Sequence, residues 1–298
     1  MGYSRIVPNG KEAQSRVDGP RCGLDAGIVR GRAVRDNSAM RQSKRVKFSN
    51  GRGQMLAGIV EIPTGDVWTW AVFTHCFTCT KDLKAIVRIS RRLAEHGIGV
   101  LRFDCSGLGE SEGEFGETNF STTCLDLQAA TKFAAEAFGP PRLLIGHSFG
   151  GAASLACANK IESVRAVVTI AAPSDTQHLA VRISGQNPRI ELDGEGDFSV
   201  GGQTYRLRRQ LLEDLRAFDL TNELRRMDKP HLIFHSPVDE TLGLEHGIGL
   251  FQSGDGPKTL VTLDGADHLL VNQPEDVGFV SDMIAIWLAR FVIREANV

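Results

Sequence analysis

The chain has 298 residues, 42% of them hydrophobic and 23% charged, with a net charge of −2. That is enough apolar material for one large domain or two small ones, and the near-neutral balance excludes a polycationic nucleic-acid surface. No stretch approaches the ~18–20 apolar residues that a membrane span requires, so neither nucleic acid nor membrane is an expected partner.

Residues 1–47 hold eleven Lys/Arg and four acidic residues, a local charge of +7 that leaves −9 for the remainder. Glycine, arginine and serine dominate this stretch and no apolar periodicity is visible before Met40, which predicts a disordered extension over residues 1–43. The four acids argue against an organelle transit peptide, and the stretch has no hydrophobic core of a signal peptide. Met40 is an alternative native start. Six cysteines, at 22, 76, 79, 105, 124 and 157, are scattered through a chain large enough to fold without staples. Reduced thiols and a cytoplasmic location are the expectation.

From Lys44 the pattern becomes regular. Val46-Lys47-Phe48 and Gln54–Glu61 flank Asn50-Gly51, a hairpin signal. Trp68–Thr74 predicts a strand. Lys81–His96 predicts an amphipathic helix carrying Leu83, Ile86, Val87, Leu93 and Ala94 on one face, stopped by Gly97. Ile98–Phe103 is a buried strand, and Thr122–Phe138 a helix ended by Gly139-Pro140-Pro141. Further strands are predicted at Arg142–Gly146, Val164–Ala171, Leu232–His235 and Thr259–Leu263, and a last helix from about Val277 to Ile293. Strands alternating with helices imply an α/β fold over residues 44–298. Its central sheet is mostly parallel and covered on both faces, with an antiparallel hairpin at the amino end. Residues of about 173–228 break the alternation. Ile190-Glu191-Leu192 and Phe198-Ser199-Val200 suggest a small hairpin, and a helical run starts at Leu207, together forming an inserted cap over the pocket.

Leu143-Leu144-Ile145 runs into Gly146-His147-Ser148-Phe149-Gly150-Gly151, and an Ala/Gly-rich helix follows. A Gly-x-Ser-x-Gly framed in this way predicts a nucleophile elbow, in which a side chain at position 146 or 150 would wedge strand and helix apart. A serine hydroxyl needs a base, and the base needs an acid to fix its tautomer. His268 is the expected base, because it alone of eight histidines lies in a strand-end loop late enough to follow an acid beyond Ser148. Asp239, in the turn after Leu232–His235, is the favoured acid, with Asp175 as its rival. Asp264 and Asp267 are better placed to cap the following segment. The oxyanion hole requires two backbone N–H groups, expected from Phe149 and from Phe77 in the loop His75-Cys76-Phe77-Thr78-Cys79. No metal or organic cofactor is expected. Cys76 and Cys79 form a C-x-x-C, but no second ligand pair at similar spacing supports zinc. Structural thiols are the favoured reading there, with redox sensitivity as the alternative. His147 and Asp104 are expected to pack and to cap a loop.

The segments His75-Cys76-Phe77-Thr78-Cys79-Thr80-Lys81-Asp82, Arg102-Phe103-Asp104, Gly107-Leu108-Gly109-Glu110-Ser111-Glu112-Gly113 and Gly146–Gly151 resemble the α/β-hydrolase superfamily. Over about residues 44–294 the chain is, more narrowly, similar to the hydrolase domain that bacteria often fuse to an OsmC-like peroxidase domain. The resemblance implies Ser148, Asp239 and His268 as a triad, Phe77 and Phe149 as oxyanion donors, and esterase-like or serine-aminopeptidase-like activity. With no room in 298 residues for a peroxidase domain, an OsmC-like protein is expected only as a separate partner. The expectation is a serine hydrolase acting on an ester, thioester or related acyl bond. A peptidase or lactonase on the same machinery, and a non-catalytic hydrolase-fold partner protein, are the alternatives.

Overall fold

The computed structural model is described for residues 41–292. The expected disordered extension and the start at Met40 therefore lie outside the described residues, except that Arg41–Ser43 already belong to the first strand. In chain order the elements are β1 (Arg41–Ser49), β2 (Met55–Pro63), β3 (Thr69–Thr74), α1 (Lys84–Glu95), β4 (Ile98–Phe103), α2 (Phe120–Ala137), β5 (Pro141–His147), α3 (Phe149–Ala158) and β6 (Ala166–Ile170). There follow α4 (Gln177–Gln186), α5 (Arg189–Leu192), β7 (Glu195–Val200), β8 (Gln203–Arg208), α6 (Arg209–Ala217) and α7 (Leu220–Arg225). The chain closes with β9 (His231–His235), α8 (Leu244–Gln252), β10 (Lys258–Thr262) and α9 (Pro274–Leu288).

Eight strands among the described residues make one sheet in the order β1-β2-β4-β3-β5-β6-β9-β10. The six from β4 to β10 are parallel, and β2 joins β4 antiparallel and carries the hairpin partner β1. Alternation along β3 shows how two cores form. Val72 points to one face, where it joins Leu101, Leu144 and the small residues of α3, while Ala71 and Phe73 point to the other, against Ile86, Ile89 and Leu93 of α1 and Val280 and Ile284 of α9. Burial on both faces is why these strands are continuous apolar runs.

Helix ends follow local chemistry. Asn119 and Thr122 form a reciprocal capping box that starts α2, satisfying two otherwise unpaired N–H groups. Helix α9 starts three residues before the expected Val277, with Pro274 in its first turn, where a missing N–H costs nothing.

The insertion between β6 and β9 corrects one expectation. Ile190-Glu191-Leu192 is not a strand but part of the one-turn helix α5, entered from Pro188 at its N-cap with φ −61°. The hairpin partner of β7 is β8, pairing Val200 with Gln203 and Glu195 with Arg208. Its turn is Gly201-Gly202, with φ of +59° and +76°, the left-handed pair that a tight hairpin needs.

Candidate active site

The site lies at the carboxyl ends of the parallel strands, where such sheets expose the helix amino termini and loops. Ser148 follows β5 directly, at φ +52° and ψ −121°, a conformation that is costly for a non-glycine residue. It persists because strand and helix close on each other. A Cβ on Gly146 would lie 2.3 Å from the carbonyl oxygen of Gly150, and one on Gly150 would lie 2.3 Å from that of Thr74. Both glycines are therefore steric requirements of the elbow.

Three of the expected residues come together. His268 Nε2 lies 3.0 Å from Ser148 Oγ, and His268 Nδ1 lies 2.7 Å from Asp239 Oδ2. The Asp239 side chain is fully buried, and its other oxygen accepts the backbone N–H groups of Thr241 and Leu242 at 2.8 and 3.0 Å. Burial alone would push this carboxyl up, but the hydrogen bond and charge of His268, with those two N–H donors, outweigh it and hold the group below the ordinary carboxylate range. Asp175, the rival acid, is elsewhere. It accepts the His178 N–H at 2.9 Å, and its Oδ2 is 3.9 Å from His246 Nδ1. The hydrogen bond from His178, with some help from His246, holds it at about 2. Asp267 caps the turn after His268, accepting from Val271 and Asn272 at 2.7 and 2.9 Å.

His147 is packed, as expected, but its contact adds a function that sequence alone did not suggest. Its Nε2 lies 2.7 Å from the carbonyl oxygen of His268, and burial, then the nearby His268, lower it to about 3. The ring is thus neutral at physiological pH, donates through Nε2–H, and clamps the loop that carries His268. Its position beside the nucleophile was the only signal available.

Phe77 and Phe149 stand at the lip of the site, with ring centroids 5.4 Å apart. Among the described residues neither backbone N–H has a protein acceptor. The peptide joining Cys76 to Phe77 is held from its carbonyl side. His75 Nε2 accepts the Cys105 N–H at 3.0 Å, so its Nδ1 carries the proton and donates to the Cys76 oxygen at 2.8 Å. Cys79 N–H donates to the same oxygen at 3.2 Å. Below this loop the buried Lys81 ammonium pairs with Asp104 at 2.9 Å, and Asp104 also accepts the backbone N–H groups of Lys81 and Glu110. Asp104 therefore caps two loops at once.

One expectation at this loop fails. Cys76 and Cys79 are not reduced thiols but a disulfide, with Cα atoms 5.3 Å apart. Thr78, at φ +63°, bends the chain into the tight turn that brings the two cysteines within bonding range. Cys105, Cys124 and Cys157 are free and buried.

A cavity of about 520 Å³ opens at Ser148 and His268. Its walls mix sheet loops with the inserted hairpin and α4, the most prominent being Phe77, Phe149, Leu179, Phe198 and Tyr205. Tyr205 Oη donates to the Thr78 carbonyl at 3.1 Å, which ties the insertion to the loop bearing Phe77. Among the described residues no helix is long and apolar enough to cross a membrane.

This sheet order, elbow and late histidine loop define an α/β-hydrolase. The family model described as serine aminopeptidase, S33, matches residues 80–184. The esterase domain of a Rhodothermus marinus protein is 41% identical, covering 84% of this chain and 99% of that domain at a TM-score of 0.68. The chain belongs to the α/β-hydrolase superfamily and is an esterase-like enzyme of that fold. More distant structures share the fold. They include Est1E from Butyrivibrio proteoclasticus with ferulic acid bound (18% identity, 83% of this chain and 99% of that one, TM-score 0.72) and mouse alpha/beta hydrolase domain-containing protein 10 (17%, 83% and 99%, 0.70). No curated protein matches the chain.

Proposed function

We propose that this enzyme cleaves carboxylic ester or thioester bonds through an acyl-Ser148 intermediate. The observation that carries this reading is the relay of Ser148 Oγ, His268 and Asp239 at 3.0 and 2.7 Å. Because His268 donates Nδ1–H to Asp239, its Nε2 presents a lone pair to the serine and can take its proton as Oγ attacks the acyl carbon. The Asp239 carboxylate stabilises the imidazolium that results. The tetrahedral oxygen is received by the N–H groups of Phe77 and Phe149, the latter at the amino end of α3. His268 then returns its proton to the departing alkoxide or thiolate, and deprotonates the water that hydrolyses the acyl-enzyme.

The cavity favours an acyl ester over a peptide with a free amino terminus. Such a peptide needs an unpaired carboxylate to hold its ammonium, and the one carboxylate among the lining residues is Asp82. Asp82 already pairs with Lys81 at 2.9 Å and Arg102 at 3.1 Å. The aromatic walls suit an aryl or medium-length acyl group. A fluorophosphonate probe should label the wild-type protein at Ser148 and leave Ser148→Ala unlabelled. A wild-type protein that does not label would overturn the reading. A panel of p-nitrophenyl esters of graded acyl length and of aryl acids then defines the acyl preference.

A further inference from the structure

The acyl-transfer steps make no use of the Cys76–Cys79 disulfide, yet it lies in the loop that carries one oxyanion donor. The Cys76–Phe77 peptide is planar, so its carbonyl and the Phe77 N–H point in opposite directions and move together. Fixing one aims the other. The carbonyl is held by the His75 Nδ1–H at 2.8 Å and the Cys79 N–H at 3.2 Å. The disulfide closes the same four-residue turn covalently. Inside that ring Thr78 is at φ +63°, which a β-branched residue adopts only where its surroundings over-determine it. Without the S–S bond the Cys76 carbonyl keeps its two hydrogen bonds, one of them from Cys79 itself, and the Thr78 and Tyr205 hydroxyls still hold the Phe77 and Thr78 carbonyls, against the preference of Thr78 to relax.

Both cysteines line the cavity that opens on Ser148. Cys76 is 4% exposed, whereas Cys79 is half-buried. Cys79 is the more exposed of the two residues, so its sulfur is the expected point of attack from the cavity.

We propose that the Cys76–Cys79 disulfide is a thiol-exchange site entered through the acyl cavity, and that opening it lowers turnover at Ser148. The effect on turnover rests on the reading of the Phe77 N–H as an oxyanion donor. A small thiolate attacks Cys79 Sγ; the new S–S bond forms as the Cys76–Cys79 bond breaks, and the electron pair leaves on Cys76 Sγ, which takes a proton from water. A second thiolate attacks the mixed disulfide and releases the small disulfide together with the Cys79 thiolate. Two small thiols are thereby oxidised and the protein disulfide is reduced, with no other oxidant required. The small disulfide reverses both steps. Cys76 departs into a buried site that solvates a thiolate poorly, so opening is slow and responds to sustained thiol.

The test equilibrates the full chain with reduced and oxidised glutathione at graded ratios, maps every cysteine by differential alkylation and peptide mass, and measures kcat and KM on a p-nitrophenyl ester alongside fluorophosphonate labelling of Ser148. Oxidised protein should carry the Cys76–Cys79 bond, and intermediate ratios should give glutathione on Cys79. Full reduction should lower kcat by about tenfold or more, as expected for a misaimed oxyanion donor, with little change in KM and recovery on reoxidation. The Cys76→Ser/Cys79→Ser variant, its fold checked by circular dichroism and urea unfolding, should sit at the low kcat and ignore the ratio. The proposal is overturned if kcat is equal in the mapped oxidised and reduced states, if glutathione attaches only at other cysteines, or if Cys76 and Cys79 alkylate as free thiols at every ratio. A Ser148 that labels in neither state would instead refute the hydrolase reading and the turnover effect with it, while the peptide masses would still decide exchange at Cys79.

Discussion

Asp239→Asn is the sharpest test of the relay, because the structure dictates how the new amide must lie. Oδ1 of Asp239 accepts two backbone N–H groups, from Thr241 at 2.8 Å and Leu242 at 3.0 Å. An asparagine must keep its carbonyl oxygen on that side, since an NH₂ there would face two donors. Its NH₂ then points at His268 Nδ1, the position from which Asp239 now accepts at 2.7 Å. Nδ1 becomes the acceptor, the ring proton moves to Nε2, and the atom facing Ser148 Oγ at 3.0 Å can no longer take a proton. A wrong tautomer of this kind lowers kcat on the order of 10⁴; at about 1.36 kcal/mol per decade that is roughly 5.5 kcal/mol of transition-state stabilisation. The shape of the side chain is conserved, so urea unfolding should move by no more than about 1 kcal/mol. Steady-state hydrolysis of a p-nitrophenyl ester and the rate of fluorophosphonate labelling should both fall, while Asp175→Asn stays within about threefold of wild type. An Asp239→Asn enzyme within tenfold of wild type, or a larger defect from Asp175→Asn, would refute the assignment of the acid.

Phe77→Pro deletes the N–H assigned to the oxyanion and should reduce kcat by about 10²–10³; a folded, fully active variant would move the donor elsewhere in the loop. Lys81→Met removes the partner of Asp104 where the two side chains are 1% and 0% exposed, and chemical denaturation should show a loss of about 3–5 kcal/mol for the stranded carboxylate. Acid should destabilise the fold well above the carboxylate range. Burial lowers both His147 and His231 to about 3 from 6.5. Between those values the unfolded chain binds more protons, so stability is complete above pH 6.5 and is lost as pH falls toward 3. Linkage gives about 2 kcal/mol per histidine between pH 8 and pH 5. Urea midpoints at the two pH values measure it, and a His147→Gln/His231→Gln variant should lose about 4 kcal/mol of that difference.

The elbow was legible in the sequence because its constraint is local. Gly146, Ser148 and Gly150 occupy one turn, and a side chain at Gly146 would meet Gly150 and Gly151 of that same segment, whereas the exclusion at Gly150 comes from Thr74 and His75 at the distant end of β3. His268 and Asp239 were legible through order along the chain, since a parallel sheet delivers successive strand ends to one edge. The disulfide was not. Whether two cysteines three residues apart bond depends on the turn between them, and here that turn has a threonine at φ +63°, against its own preference. The inserted hairpin was half legible. The pattern around Phe198 reads as the strand it is, whereas Ile190-Leu192 mimics a strand because three residues cannot separate a period of 2 from one of 3.6. The clamp of His147 on the His268 carbonyl joins residues 121 apart in sequence, and no local pattern encodes it.

The aromatic groups that shape the cavity are also those that carry the proposed oxyanion donors. Phe198 of the insertion packs edge-on against Phe77 at 6.1 Å, and Phe77 packs against Phe149 at 5.4 Å. Tyr205 reaches Phe77 through Phe115, at 5.2 and 5.3 Å, while its hydroxyl holds the Thr78 carbonyl. On the proposed mechanism, an acyl group that fills the cavity presses on side chains whose own backbone N–H groups would meet the tetrahedral oxygen. Binding energy from the remote part of such an acyl chain would then be converted into alignment at the reacting carbon, where it raises kcat and not merely affinity. A poorly fitting acyl group would leave Phe77 less constrained, so that selectivity would arise at the transition state. That coupling would give the inserted hairpin influence over turnover although it contributes no residue to the proposed relay.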